Sequence, residues 1–216
     1  MPGKVFFYLF DYCQNLEFFC QNLGSSEGSF SESLSTRLFK GRVEMVAELD
    51  KKREASRQVA EQADYQFNET QLREETAALL HRNVAAMNLD NFVVRTQRKS
   101  VEKYAQPESW QKLGIDDFNE LINNVAGLPT ELADEDEEGK RFDMLVLRAQ
   151  LAILQANSDF NSLREKIRAI AGALEEQDAI PAVKAQMPLI QAVAGDEWWE
   201  DVTVPMLEVC GKSCGH

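Results

Sequence analysis

Val5-Phe6-Phe7-Tyr8-Leu9-Phe10-Asp11-Tyr12 is a near-continuous apolar run of the kind that fills a strand buried on both faces. The rest of the 216-residue chain reads almost entirely as helix. A single strand leaves its backbone N–H and C=O groups without a ladder. The run therefore predicts the last strand of a sheet whose other strands lie elsewhere, which would make the chain a C-terminal piece of something larger. The alternative is an apolar terminus docked on helices.

With 44% hydrophobic and 27% charged residues, the chain has an ordinary globular make-up and enough length for one good core or two small ones. No apolar stretch approaches the ~18 residues of a membrane-spanning helix, and the N-terminus lacks the plan of a secretory signal. The expectation is a cytoplasmic protein without membrane contact. A formal charge of −13 argues against a broad nucleic-acid-binding face, because neutralising phosphates takes clustered Lys and Arg. Basic residues do cluster locally, at Lys51-Lys52-Arg53 and at Arg95, Arg98, Lys99 and Lys103. The second group is the candidate DNA contact, set against a simple solvated helix face.

The small polar stretch Gly24-Ser25-Ser26-Glu27-Gly28-Ser29 predicts a connector, dividing a strand and linker at 1–23 from a helical domain at 30–209. Within that domain the apolar spacing predicts seven to nine helices, giving a mainly α bundle preceded by one strand. The first starts near Ser31 or Ser33, carries Leu34, Leu38, Met45 and Leu49, and frays after Arg53. Asn68 or Thr70 caps the second, which carries Leu72, Leu79, Leu80 and Val84. Phe92-Val93-Val94 reads as extended or irregular, a basic helix follows at 96–105, and Asp116 caps the stretch with Phe118, Leu121 and Val125.

The strongest pattern spans 135–156, where Phe142, Leu145, Val146, Ala149, Ala152 and Ile153 share one stripe. Met144, Leu147, Leu151 and Leu154 widen it, so this helix is expected at the centre. Leu145→Ala is expected to cost about 2–5 kcal/mol. Asp159 caps the next helix, its partner starts near Pro181 and kinks at Pro188, and Trp198-Trp199 opens the last element. The paired tryptophans are packing anchors or a partner interface.

Chemistry-bearing motifs are missing. There is no Gly-rich phosphate loop, no nucleophile elbow and no His-Glu-x-x-His. The chain has two histidines, and His81 sits in a helix beside Arg82, where a surface or half-buried role is expected. Cys13, Cys20, Cys210 and Cys214 do not form a disulfide framework. Cys210-x3-Cys214-x-His216 lacks a fourth zinc ligand. Glu131, Asp134, Glu135, Asp136, Glu137 and Glu138 precede the central helix, where negative charge suits a helix N-terminus better than a cation loop. No catalytic, cofactor-binding or metal-ligating residue is assigned. The residues by themselves describe a helical interaction or coupling module.

Gly3-Lys4-Val5-Phe6-Phe7-Tyr8-Leu9-Phe10-Asp11-Tyr12-Cys13-Gln14-Asn15-Leu16-Glu17-Phe18-Phe19 resembles the segment after the last helicase motif in R subunits of type I restriction enzymes. Those are DEAD/DEAH-like ATP-driven translocases. Ser33-Leu34-Ser35-x-Arg37-Leu38-Phe39-Lys40, Asn68-Glu69, Arg95, Val101-Glu102-x-Tyr104 and Leu128-Pro129 are similar to the helical C-terminal region of the same family. So are Arg141-Phe142-Asp143-x-Leu145-Val146-Leu147-Arg148 and Trp198-Trp199-Glu200-Asp201-Val202-Thr203.

The resemblance implies that the strand belongs to an upstream RecA-like lobe and that the helices join the motor to methyltransferase and specificity subunits. ATP and Mg would serve the parent, an ATP-dependent site-specific deoxyribonuclease, and this chain would hold no cofactor of its own. DNA would be engaged through the whole complex. The tail 210–216 departs from the family by turning to Gly and Cys, as a shifted reading frame or a truncation would produce, and is expected to be atypical or disordered. The competing expectation is a self-sufficient helical adaptor, or a homodimer paired through the N-terminal strand.

Overall fold

The computed structural model describes residues 32–56, 63–132, 137–177 and 179–214. The strand expected at 5–12, the connector at 24–29, Cys13, Cys20 and the acidic residues 134–136 lie outside them. Among the described residues the chain is mainly α, with nine α-helices and no strand. None of these helices is long and apolar enough to cross a membrane.

Helix α1 (Leu34–Ser56) starts where expected, because the Ser33 hydroxyl accepts the Thr36 N–H at 3.1 Å. Helix α2 (Ala63–Ala85) begins well before Asn68 and Thr70. Those residues are therefore interior, and the good helix formers Ala63, Gln66 and Glu69 carry the backbone where no apolar stripe marks it. The Phe92-Val93-Val94 segment is not extended. It forms a single turn, α3 (Phe92–Arg95), because the Asn91 side chain accepts the Val93 N–H at 2.9 Å. A local cap here outweighs the strand preference of two valines.

The basic helix α4 (Arg98–Tyr104) and a 3₁₀ turn at Pro107–Trp110 follow. In α5 (Ile115–Glu120) the cap position belongs to Gly114 rather than Asp116. Asp117 supplies the polar group, its carboxylate reaching back to the Gly114 N–H at 3.0 Å. The chain continues into a π-helical turn, Leu121–Val125, closed by the Ala126 N–H on the Leu121 carbonyl at 2.9 Å.

The C-terminal half contains α6 (Glu137–Leu154), α7 (Phe160–Glu175), α8 (Pro181–Ala194), a 3₁₀ turn at Glu197–Trp199 and α9 (Val204–Cys214). Asp159 precedes α7, yet its side chain makes no capping bond. Pro188 lies inside α8. Of the tail 210–216, expected to be atypical or disordered, residues 210–214 are described. Helix α9 runs to Cys214, and Cys210 is fully buried against the apolar stripe of α6, α7 and α8.

Three apolar clusters hold these elements together. The first joins Val43 and Val46 of α1 to Leu80 and Val84 of α2, Tyr104 of α4 and Leu121 of the π turn. The second joins Phe142, Val146 and Ala149 of α6 to Ile167, Ile190, Trp199 and Leu207. Between them Leu38, Met45, Leu49, Leu72, Leu147 and Val204 make a seam. Helices α1 and α6 lie on both sides of it, packed so closely that a Cβ added at Gly41 would sit 2.8 Å from Leu147 Cδ2. Helix α6 is central as its pattern predicts, but its inward residues are Val146 and Leu147 while Leu145 is only half-buried. Truncation at Leu147 is therefore expected to cost more than truncation at Leu145.

Candidate functional site

The basic residues of α3 and α4 have divided roles. Arg98 donates from Nε to Glu102 Oε1 at 2.7 Å, one helical turn along. Lys103 donates from Nζ to Glu120 at 2.8 Å and Asp117 at 2.9 Å, and to the Tyr104 hydroxyl at 3.0 Å. Arg95 and Lys99 are exposed and have no side-chain partner among the described residues. Of the four candidate DNA-contacting cations, two thus pair with carboxylates of this chain and two face solvent.

Tyr104 is the hub of that cluster. Its ring is fully buried and packs edge-on to Trp110 at 5.8 Å, while its hydroxyl donates to Asp117 at 2.9 Å. Burial pushes the Tyr104 phenol well above its usual range. The Lys103 ammonium is likewise held charged far into alkali by hydrogen bonds to Glu120, Tyr104 and Asp117. Hydrogen bonding from Lys103 lowers the Glu120 carboxyl despite partial burial. Burial acts upward on Asp117, and bonds from Lys103 and the Gly114 N–H outweigh it. The cluster fastens α4 to α5 through charge-assisted bonds.

The two tryptophans separate as well. Trp199 is 6% exposed, its indole N–H donates to the Val193 carbonyl at 2.8 Å, and its ring lies 6.2 Å from Phe160. It is committed to this chain's own core. Trp198 is half-buried and stands edge-on to Trp199 at 4.8 Å. If the pair meets a partner, the contact belongs to Trp198.

His81 is half-buried, its Nε2 2.9 Å from the Ala105 carbonyl. The described residues contain no group of three or more side chains suited to a metal ion. Sequence patterns missed a buried ion pair: Arg73 grips Asp50 with two bonds of 3.0 and 2.8 Å and also donates to the Trp110 carbonyl at 2.7 Å. They also missed two cavities lined by both polar and apolar side chains. One, of about 450 Å³, opens at the start of α1 between Ser33, Arg42, Asn83, Thr130 and Lys140. The other lies between α1, α2, α6 and α9. The only available signal was the placement of Glu75 and Arg82 about two turns apart on one face of a helix.

No protein-family model, no curated protein and no solved structure matches this chain.

Proposed function

We propose that the chain is a helical C-terminal region of a type I restriction-enzyme R subunit, serving assembly with the modification and specificity subunits and transmission of motor movement. One observation carries the reading: the segments that resemble the family supply the framework of the fold. Leu38 and Leu147 share the seam between α1 and α6. Asp143, in the Arg141–Arg148 segment, pairs with Arg42 at 2.8 Å. Val101 and Tyr104 belong to the first cluster and Trp199 to the second. Residues with such roles fix the relative placement of helices, which is what a coupling region between motor and partner subunits requires.

In this reading ATP hydrolysis and DNA cleavage belong to the parent's upstream domains, and the apolar run at 5–12 is a strand of its second RecA-like lobe. DNA contact by this chain alone is weak and falls to Arg95 and Lys99. Mixing the purified chain with the cognate methyltransferase and specificity subunits, followed by sedimentation, tests the reading. ATP turnover by the purified chain itself, sensitive to substitutions within it, would count against it.

A second reading, a self-sufficient helical adaptor, is favoured by the three apolar clusters that the described residues build among themselves. A stable homodimer that reverts to monomer on Phe7→Asp would support it.

A further inference from the structure

The cleft between α1, α2, α6 and α9, open to solvent at its charged rim, has a volume of about 390 Å³, inside the range of roughly 300–1,000 Å³ usual for small-molecule sites. Its apolar wall is Met45, Leu79, Val146 and Leu147. Six charged groups surround it: Arg42, Glu75, Arg82, Asp143, Glu208 and Lys212.

Those charges do not cancel pairwise. Arg42 and Asp143 neutralise each other at 2.8 Å. Lys212 is shared, 2.7 Å from Glu75 and 3.6 Å from Glu208, so one ammonium serves two carboxylates and that side retains a negative charge. Gln150 donates to Glu208 at 3.1 Å without changing the balance. Farther along α2, the Arg82 guanidinium has no partner among the described residues. Glu75 and Arg82 stand about two turns apart on the same helix face, too far for the pair to close directly at rest. The hydrogen bond from Lys212 holds Glu75 below the usual carboxylate range, which keeps the acidic end ionised.

A simple anion would meet Arg82 but also the surplus carboxylate, and a simple cation would meet the reverse. A ligand carrying both charges next to an apolar body satisfies each end and the wall between them. We propose that this cavity binds an amino-acid zwitterion with an apolar side chain: its carboxylate on the Arg82 fork, its ammonium toward Glu75 and Glu208, and its side chain against Met45 and Val146. The site is independent of the assembly reading, since it uses neither Trp198 nor the N-terminal strand.

Calorimetric titration of the full chain with leucine, 4-methylpentanoate and 3-methylbutylamine tests it, because the last two each keep the apolar body and only one of the charges. Leucine should bind saturably, and each single-charge analogue should bind at least about tenfold more weakly. Arg82→Ala should weaken leucine binding at least about tenfold, with Arg82→Lys between it and the parent, since a lysine keeps the charge and loses the fork. Arg82 is exposed, so both variants should retain the parent's helical circular dichroism. Absence of saturable leucine binding up to about 10 mM, equal binding of 4-methylpentanoate, or an Arg82→Ala variant that binds as the parent does would overturn the proposal.

Discussion

Arg73 of α2 and Asp50 of α1 form a two-pronged ion pair, with Nε to Oδ1 at 3.0 Å and Nη2 to Oδ2 at 2.8 Å, and their side chains are only 7% and 10% exposed. The remaining capacity is used nearby, since Arg73 Nη1 donates to the Trp110 carbonyl and Asp50 Oδ2 accepts the Leu113 N–H at 3.4 Å. One pair thus ties two helices to the loop after α4. Removing one partner strands a buried charge, so Asp50→Ala should cost about 3–5 kcal/mol. Asp50→Ala with Arg73→Met should be less damaging than the sum of the single changes by at least about 1 kcal/mol. Urea denaturation of the four proteins measures this, and strict additivity would mean the two side chains act separately.

Acid should loosen the joint between α4 and α5. The Glu120 and Asp117 carboxyls are both held below their usual range, Glu120 chiefly by Lys103 and Asp117 by Lys103 and the Gly114 N–H against the upward pull of burial. A carboxyl lowered in the folded state contributes stability that is complete above its unfolded value. That contribution disappears as the pH falls through the folded one. Stability should therefore decline below about pH 4–5, and Lys103→Met should flatten that limb while also lowering the neutral plateau. Urea midpoints collected across the acid range for both proteins check it. Parallel curves would separate Lys103 from the acid sensitivity.

Helix α6 ends on a residue of the wrong kind. Ala156 has φ of 51°, and the Asn157 N–H closes on the Ala152 carbonyl at 2.8 Å in the manner of a Schellman cap. Alanine in the left-handed region is disfavoured by about 1 kcal/mol relative to glycine. Ala156→Gly should raise stability by about 0.5–1 kcal/mol, a gain at an exposed site where glycine substitution usually does harm. A lowered melting temperature would contradict it.

Two leucines two residues apart on α6 should differ. Leu147 lies in the α1–α6 seam against Gly41, whereas Leu145 is half-buried on the periphery of the second cluster. Leu147→Ala should cost about 2–5 kcal/mol and Leu145→Ala clearly less. Equal denaturation midpoints would place the seam elsewhere.

Helix α6 was legible because its apolar repeat outnumbers every competing signal, α7 because Phe160, Leu163 and Ile167 recur at helical spacing, and the start of α8 because Pro181 marks it. The α3 turn was not, because a cap formed by a single Asn91 decided it against a strand-like composition. The early start of α2 rests on propensity without an apolar stripe, which periodicity does not register. Partnerships were the least readable of all. Asp50 is one of 36 acidic residues, and nothing local distinguishes it as the one that meets Arg73. The basic run 95–103 looked uniform, yet Glu102 and the neighbouring α5 take Arg98 and Lys103 out of it while Arg95 and Lys99 have no side-chain partner among the described residues. Burial separates Trp199 from Trp198 through a hydrogen bond to Val193, a contact set by the return of α8 rather than by the tryptophan pair itself.

The assembly reading is tested most directly by sedimentation velocity of the full chain, alone and mixed with the cognate methyltransferase and specificity subunits. The expected result is a chain that sediments as a monomer when alone and shifts into a larger complex in the mixture, with the shift weakened by Trp198→Ala. Independent sedimentation of the chain and those subunits at micromolar concentration, or a chain locked in its own dimer, would contradict it.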